Sequence, residues 1–504
     1  MVKAQHDIRA SLQRAMSLHQ QGDLNQAEQI YKEVLAIEPN EPNALHLLGV
    51  VAWKRGDLPA AHSHIQKAIQ LHPTVAAYHS NLAGVLRQMG MTDEAIASYE
   101  KSLLLDPKHE VARKELALTL HQQGMAASKD KNWDLAQKAY SRVLELDPNN
   151  VATLNNLAAV VQHLNDRNAA YGYYRRALEA APDNLMLRYN RSICYLTDKK
   201  FSEGWADFRG SKAHWQPTID KRASLPWAHV PFWDGRDLKG KKILLWGDHG
   251  IGDEVLFASM VPDLIERGAI ITMEVMDRLK PLMERSFPTV TVHMRQEPPL
   301  PGPNFDFQAP WLWLTSYLRP TINDFPKRLS YLKADDEQKA RLRKRYEAFG
   351  KKHIIGVSWF SMSHTWGTRR SITLPEILGS LPLDDVLIID LQYGETADAW
   401  REAKKAFPHL TTFHDDEVDQ FIDMDIFAAQ VAACDSVVTI CNTTSHIAGA
   451  LGIPAAVLMS DFGLTWYWFA DGAECPWYPS LTLLRPSAKD RLKSASKIAT
   501  KSMV

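Results

Sequence analysis

Cys434-Asp-Ser-Val-Val-Thr-Ile-Cys441 is followed without a break by Asn442-Thr-Thr-Ser-His446, Ile447-Ala-Gly-Ala-Leu-Gly-Ile-Pro454 and Ala455-Ala-Val-Leu-Met459. The first run is β-branched and predicts a short buried strand, and the last run predicts another. Between them Ser445 to Leu451 can form a short helix, which Gly452 stops and Pro454 keeps stopped. Strand, turn, helix, strand is the building unit of a parallel α/β sheet. Its turn has two open readings. The free N–H groups of a helix N-terminus favour an anion, Thr443, Thr444 and His446 can add donors, and Gly449 leaves room for close approach. Equally, Asn442 and Thr443 are ordinary N-cap residues.

The same alternation continues upstream. Ile243–Trp246 reads as a buried strand, Gly247 to Asp253 as a glycine-rich turn, Glu254 to Leu264 as a helix and Ile270 to Val275 as the next strand. The turn lacks the full spacing of a dinucleotide fingerprint or a phosphate-loop lysine motif. Gly250 and Gly252 let a ligand approach the backbone. Asp253 opens a helix, where a carboxylate is also a plain first-turn charge. His353 to Trp359 is a further strand, followed by a loop that carries Arg369 and Arg370. Adjacent arginines can clamp a diphosphate or form a solvated charge pair. Val386 to Gln392 is a strand that presents Gln392 at its end. The expectation is two successive α/β domains, 241–350 and 351–504, with ligands in the cleft between them.

Residues 1–216 are of another kind. Ala27-Tyr31-Pro39, Ala61-Ile65-Pro73 and Ala95-Tyr99-Pro107 repeat at a step of 34, and Gly22, Gly56 and Gly90 precede each alanine by five. The pattern returns at Ala136 and again at Ala170, with a worn copy at Phe201, Trp205 and Phe208. The step from Ala95 to Ala136 is 41, so seven extra residues are expected in the first helix of that copy, between Glu110 and Asp130. This resembles the tetratricopeptide repeat, an α-solenoid of helix pairs whose groove commonly holds extended peptide. A purely structural or dimerising stack is the alternative. Residues 217–240 hold Pro226, Trp227, Pro231, Phe232 and Trp233, which reads as a docked linker. Residues 487–504 read as a C-terminal surface helix.

Composition narrows the class. The 504 residues are 45% hydrophobic and 23% charged, ordinary for a soluble protein. Lys plus Arg number 58 and Asp plus Glu 59, so no overall basic field exists for nucleic acid. The longest apolar run, Ile447 to Met459, is too short to span a membrane. Four scattered cysteines suggest neither metal nor disulfide framework, and a cytoplasmic location is expected.

Five short stretches occur in a set order: Gly250-Ile-Gly-Asp253, Arg370-Ser-Ile372, Leu391-Gln-Tyr-Gly394, Asn442 to Gly452, and Pro476-Trp-Tyr-Pro479. Together with the repeats they resemble bacterial tetratricopeptide-repeat glycosyltransferases whose catalytic half is related to the ADP-heptose heptosyltransferases. The plan is similar to that of O-linked N-acetylglucosamine transferases and of repeat-containing flagellin glycosyltransferases. The resemblance implies two Rossmann-like domains in the GT-B arrangement. It also implies inverting, metal-independent transfer from a nucleotide sugar to a protein acceptor, with no other cofactor. Asp253 matches the family's general base, and His446 is the next candidate. Gly250, Gly252, Arg369, Arg370, Gln392, Asn442, Thr443, Thr444, His446 and Gly449 match the donor side. Cys441 stands where the heptosyltransferase turn has an acidic residue, and Tyr467 where many relatives have arginine. Two other classes stay open: a non-catalytic repeat adaptor with a degenerate sugar-nucleotide domain, and a transferase directed at lipopolysaccharide or another glycan.

Overall fold

The computed structural model describes residues 2–164, 166–211, 225–247, 250–295, 304–362, 370–379, 381, 385–460, 465–486, 494, 495 and 498. Arg369 and nearly all of the stretch read as a C-terminal helix lie outside the described residues. The chain forms two compact units, Met1–Leu187 and Arg188–Val504.

The first unit is a stack of helices. They are α1 (Val2–Gln20), α2 (Leu24–Ile37), α3 (Pro42–Lys54), α4 (Leu58–Leu71), α5 (Ala76–Gln88), α6 (Thr92–Leu105), α7 (Glu110–Lys129), α8 (Trp133–Leu146), α9 (Val151–His163) and α10 (Arg167–Ala180). Each odd helix packs on the even one after it. The repeated alanines Ala27, Ala61, Ala95, Ala136 and Ala170 are wholly buried, as close helix approach requires. Gly49 is one such contact: a Cβ there would stand 2.6 Å from Ile65 Cγ1. The turns between paired helices use the left-handed conformation at Gly22, Gly56 and Gly90. Lys131 adopts it at the equivalent place in the fourth copy, at φ 62°. Four of the five second helices also share a cap: Asp23, Asp57, Asn132 and Asp166 each accept a backbone N–H from three residues on, whereas α6 follows Met91 without one. The seven-residue insertion lengthens α7 to 20 residues, against 13 in α3, α5 and α9.

The seam between units falls within α11 (Leu185–Thr197), not at residue 216 where the repeat pattern ends. The worn last copy keeps the period, but α12 (Phe201–Gly210) buries Phe201, Trp205 and Phe208 in the core of the α/β half. Trp205 Nε1 donates to Arg319 O at 2.8 Å, and Phe201 packs on Phe325 and Phe469. The described part of the linker is docked: Trp227 and Trp233 are buried, and Gln308 Nε2 donates to Val230 O at 2.7 Å.

The second unit holds two parallel sheets. The first contains β1 (Lys242–Trp246), β2 (Ile270–Val275), β3 (Thr291–Met294) and β4 (Phe307–Pro310), in the order β3-β2-β1-β4. The second contains β5 (His353–Val357), β6 (Val386–Asp390), β7 (Thr411–Phe413), β8 (Ser436–Ile440), β9 (Ala455–Leu458) and β10 (Leu481–Leu484), in the order β10-β9-β8-β5-β6-β7. Every pairing is parallel, and the central strands are buried apolar runs, as expected where helices cover both faces. The helix Asp336–Glu347, read from sequence as the end of the first α/β domain, packs instead on the helix Met424–Ala432 beside the second sheet. Arg343 donates to Asp435 at 2.6 Å and Tyr346 to Asp415 at 3.2 Å. No helix among the described residues is long and apolar enough to cross a membrane.

Candidate functional site

Each sheet has a point where the strand order reverses, the place where parallel α/β sheets bind ligands beyond the carboxyl ends of their strands. In the first sheet β1 lies between β2 and β4, and its carboxyl end leads into the glycine turn before Asp253. In the second, β5 lies between β8 and β6. Asn442, just after β8, bridges that second point by donating from Nδ2 to Ser358 Oγ at 2.7 Å. The hydroxyl of Ser358 passes the bond on to Gln392 Oε1 at 3.1 Å.

The helices that follow β1 and β8 meet. The helix Ile251–Ala258 packs directly on the helix Thr443–Leu451. Gly252 makes this possible: a Cβ at that position would stand 2.7 Å from His446 Cδ2 and 3.3 Å from its Nε2. His446 is buried, and its Nδ1 shares a 2.9 Å hydrogen bond with the hydroxyl of Tyr478. Its ring sits among Tyr467, Trp468 and Tyr478. Burial pushes the imidazole down to about 4; the Asp253 carboxylate opposes that shift and the positive charge of Arg370 reinforces it. His446 is therefore neutral at physiological pH.

Asp253 is half-buried, and its Oδ1 accepts a hydrogen bond from Tyr467 Oη at 2.5 Å. Burial first, and then the Asp253 charge, hold that phenol well above the ordinary tyrosine value. The neighbouring Glu254 turns elsewhere. It is fully buried, accepts the Met276 N–H at 2.8 Å and pairs with Arg295. Burial pushes its carboxyl up to about 7 although Arg295 pulls the other way.

The sequence-read donor residues divide by what they touch. Asn442 caps its helix by accepting from Ser445 N, the role that simple N-capping assigns it. Gln392 shapes the loop after β5, its Oε1 accepting the N–H groups of Trp359 at 2.9 Å and Phe360 at 2.8 Å. The room beside Gly449 is filled by the ring of Tyr478. Gly250 caps the helix that carries Asp253. Thr443 is half-buried, and Thr444 Oγ1 is buried with no hydrogen-bond partner among the described residues. Arg370 is half-exposed, and its charge reaches His446, Tyr467 and Cys441. Cys441 is buried with its thiol 3.3 Å from Met459 Sδ, and burial pushes it up to about 11. Two residues of this cluster carry no role in the sequence reading. Tyr467 was visible there as a departure from a family pattern, and Tyr478 as part of Pro476–Pro479. Neither position in the chain hints at Asp253 or His446 as its partner.

Three profiles described as tetratricopeptide repeat match residues 18–85, 73–149 and 121–184. The N-terminal unit is thus a tetratricopeptide-repeat solenoid. The chain is similar to Protein FlbA of Caulobacter vibrioides, 27% identical over 489 residues, which cover 93% of this chain and 79% of that protein. It is also similar to the human Protein O-mannosyl-transferase TMTC1, 25% identical over 183 residues, or 36% of this chain. That match spans only 20% of TMTC1. Among solved structures, the crystal structure of MamA protein aligns to 37% of this chain and 96% of its own, at 20% identity and a TM-score of 0.30.

Proposed function

We propose that the α/β unit is an inverting glycosyltransferase of the GT-B arrangement. It moves a sugar from a nucleotide sugar to a protein acceptor recruited by the repeat solenoid, with flagellin among the candidate acceptors. It works without a metal ion or other cofactor. The observation that carries this reading is the packing of the helix Ile251–Ala258 on the helix Thr443–Leu451, which brings Asp253 beside His446. Such transfer needs a base for the acceptor hydroxyl and charge stabilisation for the departing diphosphate. Asp253 takes the hydroxyl proton as the acceptor oxygen attacks the anomeric carbon on the face opposite the leaving group. The N–H groups that open the helix Thr443–Leu451, the hydroxyls of Thr443 and Thr444, and Arg370 meet the diphosphate. His446 is the second candidate base. The near full-length match to FlbA supports one shared plan for both units. The activity in TMTC1's name, protein O-mannosyl transfer, supports only the general class, because the shared stretch is about a third of this chain.

The test is a thermal-shift panel of nucleoside diphosphates and nucleotide sugars on the full chain, followed by transfer to cell-extract proteins in the presence of EDTA. A bound donor at a hundredfold excess over its dissociation constant stabilises by about 2.7 kcal/mol. Asp253→Asn is expected to keep that shift and lose ~10²–10⁴-fold in turnover. A folded Asp253→Asn protein with near-normal turnover removes Asp253 as the base. Donor binding with no transfer to any protein points to the adaptor instead.

A further inference from the structure

Tyr467 lies in the short turn Trp466–Trp468 beyond β9, whereas Asp253 opens the helix after β1. Their 2.5 Å hydrogen bond therefore ties the helix after β1 to the second sheet's side of the unit. The phenol ring is buried, edge-on to Phe257 at 6.4 Å and to His446 at 5.8 Å between centroids, so its hydroxyl has little freedom to swing away. The other carboxylate oxygen faces elsewhere. Among the described residues, a Cβ built at Gly250 would meet only Asp253 Oδ2 within 4 Å, at 3.9 Å, its own chain neighbours aside. Oδ1 is thus occupied, and Oδ2 is the oxygen on the side of Gly250.

We propose that Tyr467 is a positioning residue for Asp253: it holds Oδ1, so that Oδ2 is presented to an acceptor hydroxyl entering beside Gly250. This rests on the reading of Asp253 as the base, and adds the group that sets its orientation. The phenol suits the task because it stays protonated through neutral pH and remains a donor. The other groups near Asp253 do not substitute for it. His446, on the helix Thr443–Leu451, is neutral and bonded through Nδ1 to Tyr478. Glu254 is turned to Met276 N and Arg295. Arg370 acts through its charge on His446 and Tyr467.

Two measurements on the full chain test the assignment. Proton NMR is expected to show a downfield, slowly exchanging hydroxyl resonance that vanishes in both Tyr467→Phe and Asp253→Asn. Its absence from the wild-type protein overturns the proposal without need of any substrate or variant. The second measurement is a kinetic cycle of Tyr467→Phe, Asp253→Asn and the double variant. Tyr467→Phe keeps the ring, and is expected to lower kcat about tenfold or more with donor KM unchanged. The same change should cost nothing further on the Asp253→Asn background, because it acts only through that carboxylate. Additive losses mean that Tyr467 serves packing alone, and overturn the proposal while Asp253 remains the base. A wild-type rate in Asp253→Asn overturns the reading underneath, and the proposal with it.

Discussion

Replacing Gly252 by alanine separates close packing from ligand approach as the reason for a glycine there. The new methyl would stand 2.7 Å from His446 Cδ2, well inside van der Waals contact. The imidazole has no easy retreat, being bonded to Tyr478 and flanked by Tyr467 and Trp468. Overpacking of this kind costs about 1–3 kcal/mol. Gly252 lies in a helix, so alanine returns at most about 1 kcal/mol of propensity. With that return subtracted, the net expectation is a loss of up to about 2 kcal/mol. On a His446→Ala background the obstacle is gone, and the same substitution should stabilise by up to about 1 kcal/mol. The change of sign is a coupling of about 2 kcal/mol between the two residues. Differential scanning calorimetry of the four full-length proteins reads it as shifts in the α/β unit's transition, roughly 2 °C per kcal/mol for a unit of this size. Equal cost on both backgrounds refutes the packing argument. An unchanged melting temperature with weakened nucleotide binding would return Gly252 to the ligand side.

Trp205→Ala should lower the melting of the α/β unit by about 3–5 kcal/mol of stability and leave the solenoid's transition in place, since its ring is buried against Arg319 and the rings around it. A shift confined to the solenoid's transition would restore the seam at residue 216. Burial of His446 sets a pH dependence whose sign follows from its direction. Its folded value, about 4, lies below the ordinary 6.5, so the unfolded chain binds the extra proton first. The α/β unit is expected to lose about 3 kcal/mol as pH falls from 6.5 to 4, and to keep full stability above 6.5. His446→Gln should flatten that part of the stability–pH curve, and a curve unchanged by the substitution would show that the imidazole is not buried neutral.

The solenoid was legible residue by residue because its interactions are local. The repeat puts the same alanine in each copy, the turn glycine in the first three and a capping Asp or Asn in four of five, and the one irregular step of 41 lengthens α7 by the number of residues inserted. Of the strands of the second unit, β1, β2, β5, β6, β8 and β9 were also legible, as short apolar runs. Side-chain partners were another matter. Asn442, Gln392 and Gly449 look alike whether they hold a ligand or their own loop, and only the folded chain shows Ser358, the Phe360 amide and the Tyr478 ring taking them up. The worn last repeat keeps its period in sequence, yet α12 buries its aromatics in the α/β core, because periodicity specifies a helix face and not what covers it. Tyr467 and Asp253 are 214 positions apart. Local propensity carries no information across such a distance, so their hydrogen bond, like the contact of Gly252 with His446, was decided by the way the helices beside the two sheets pack.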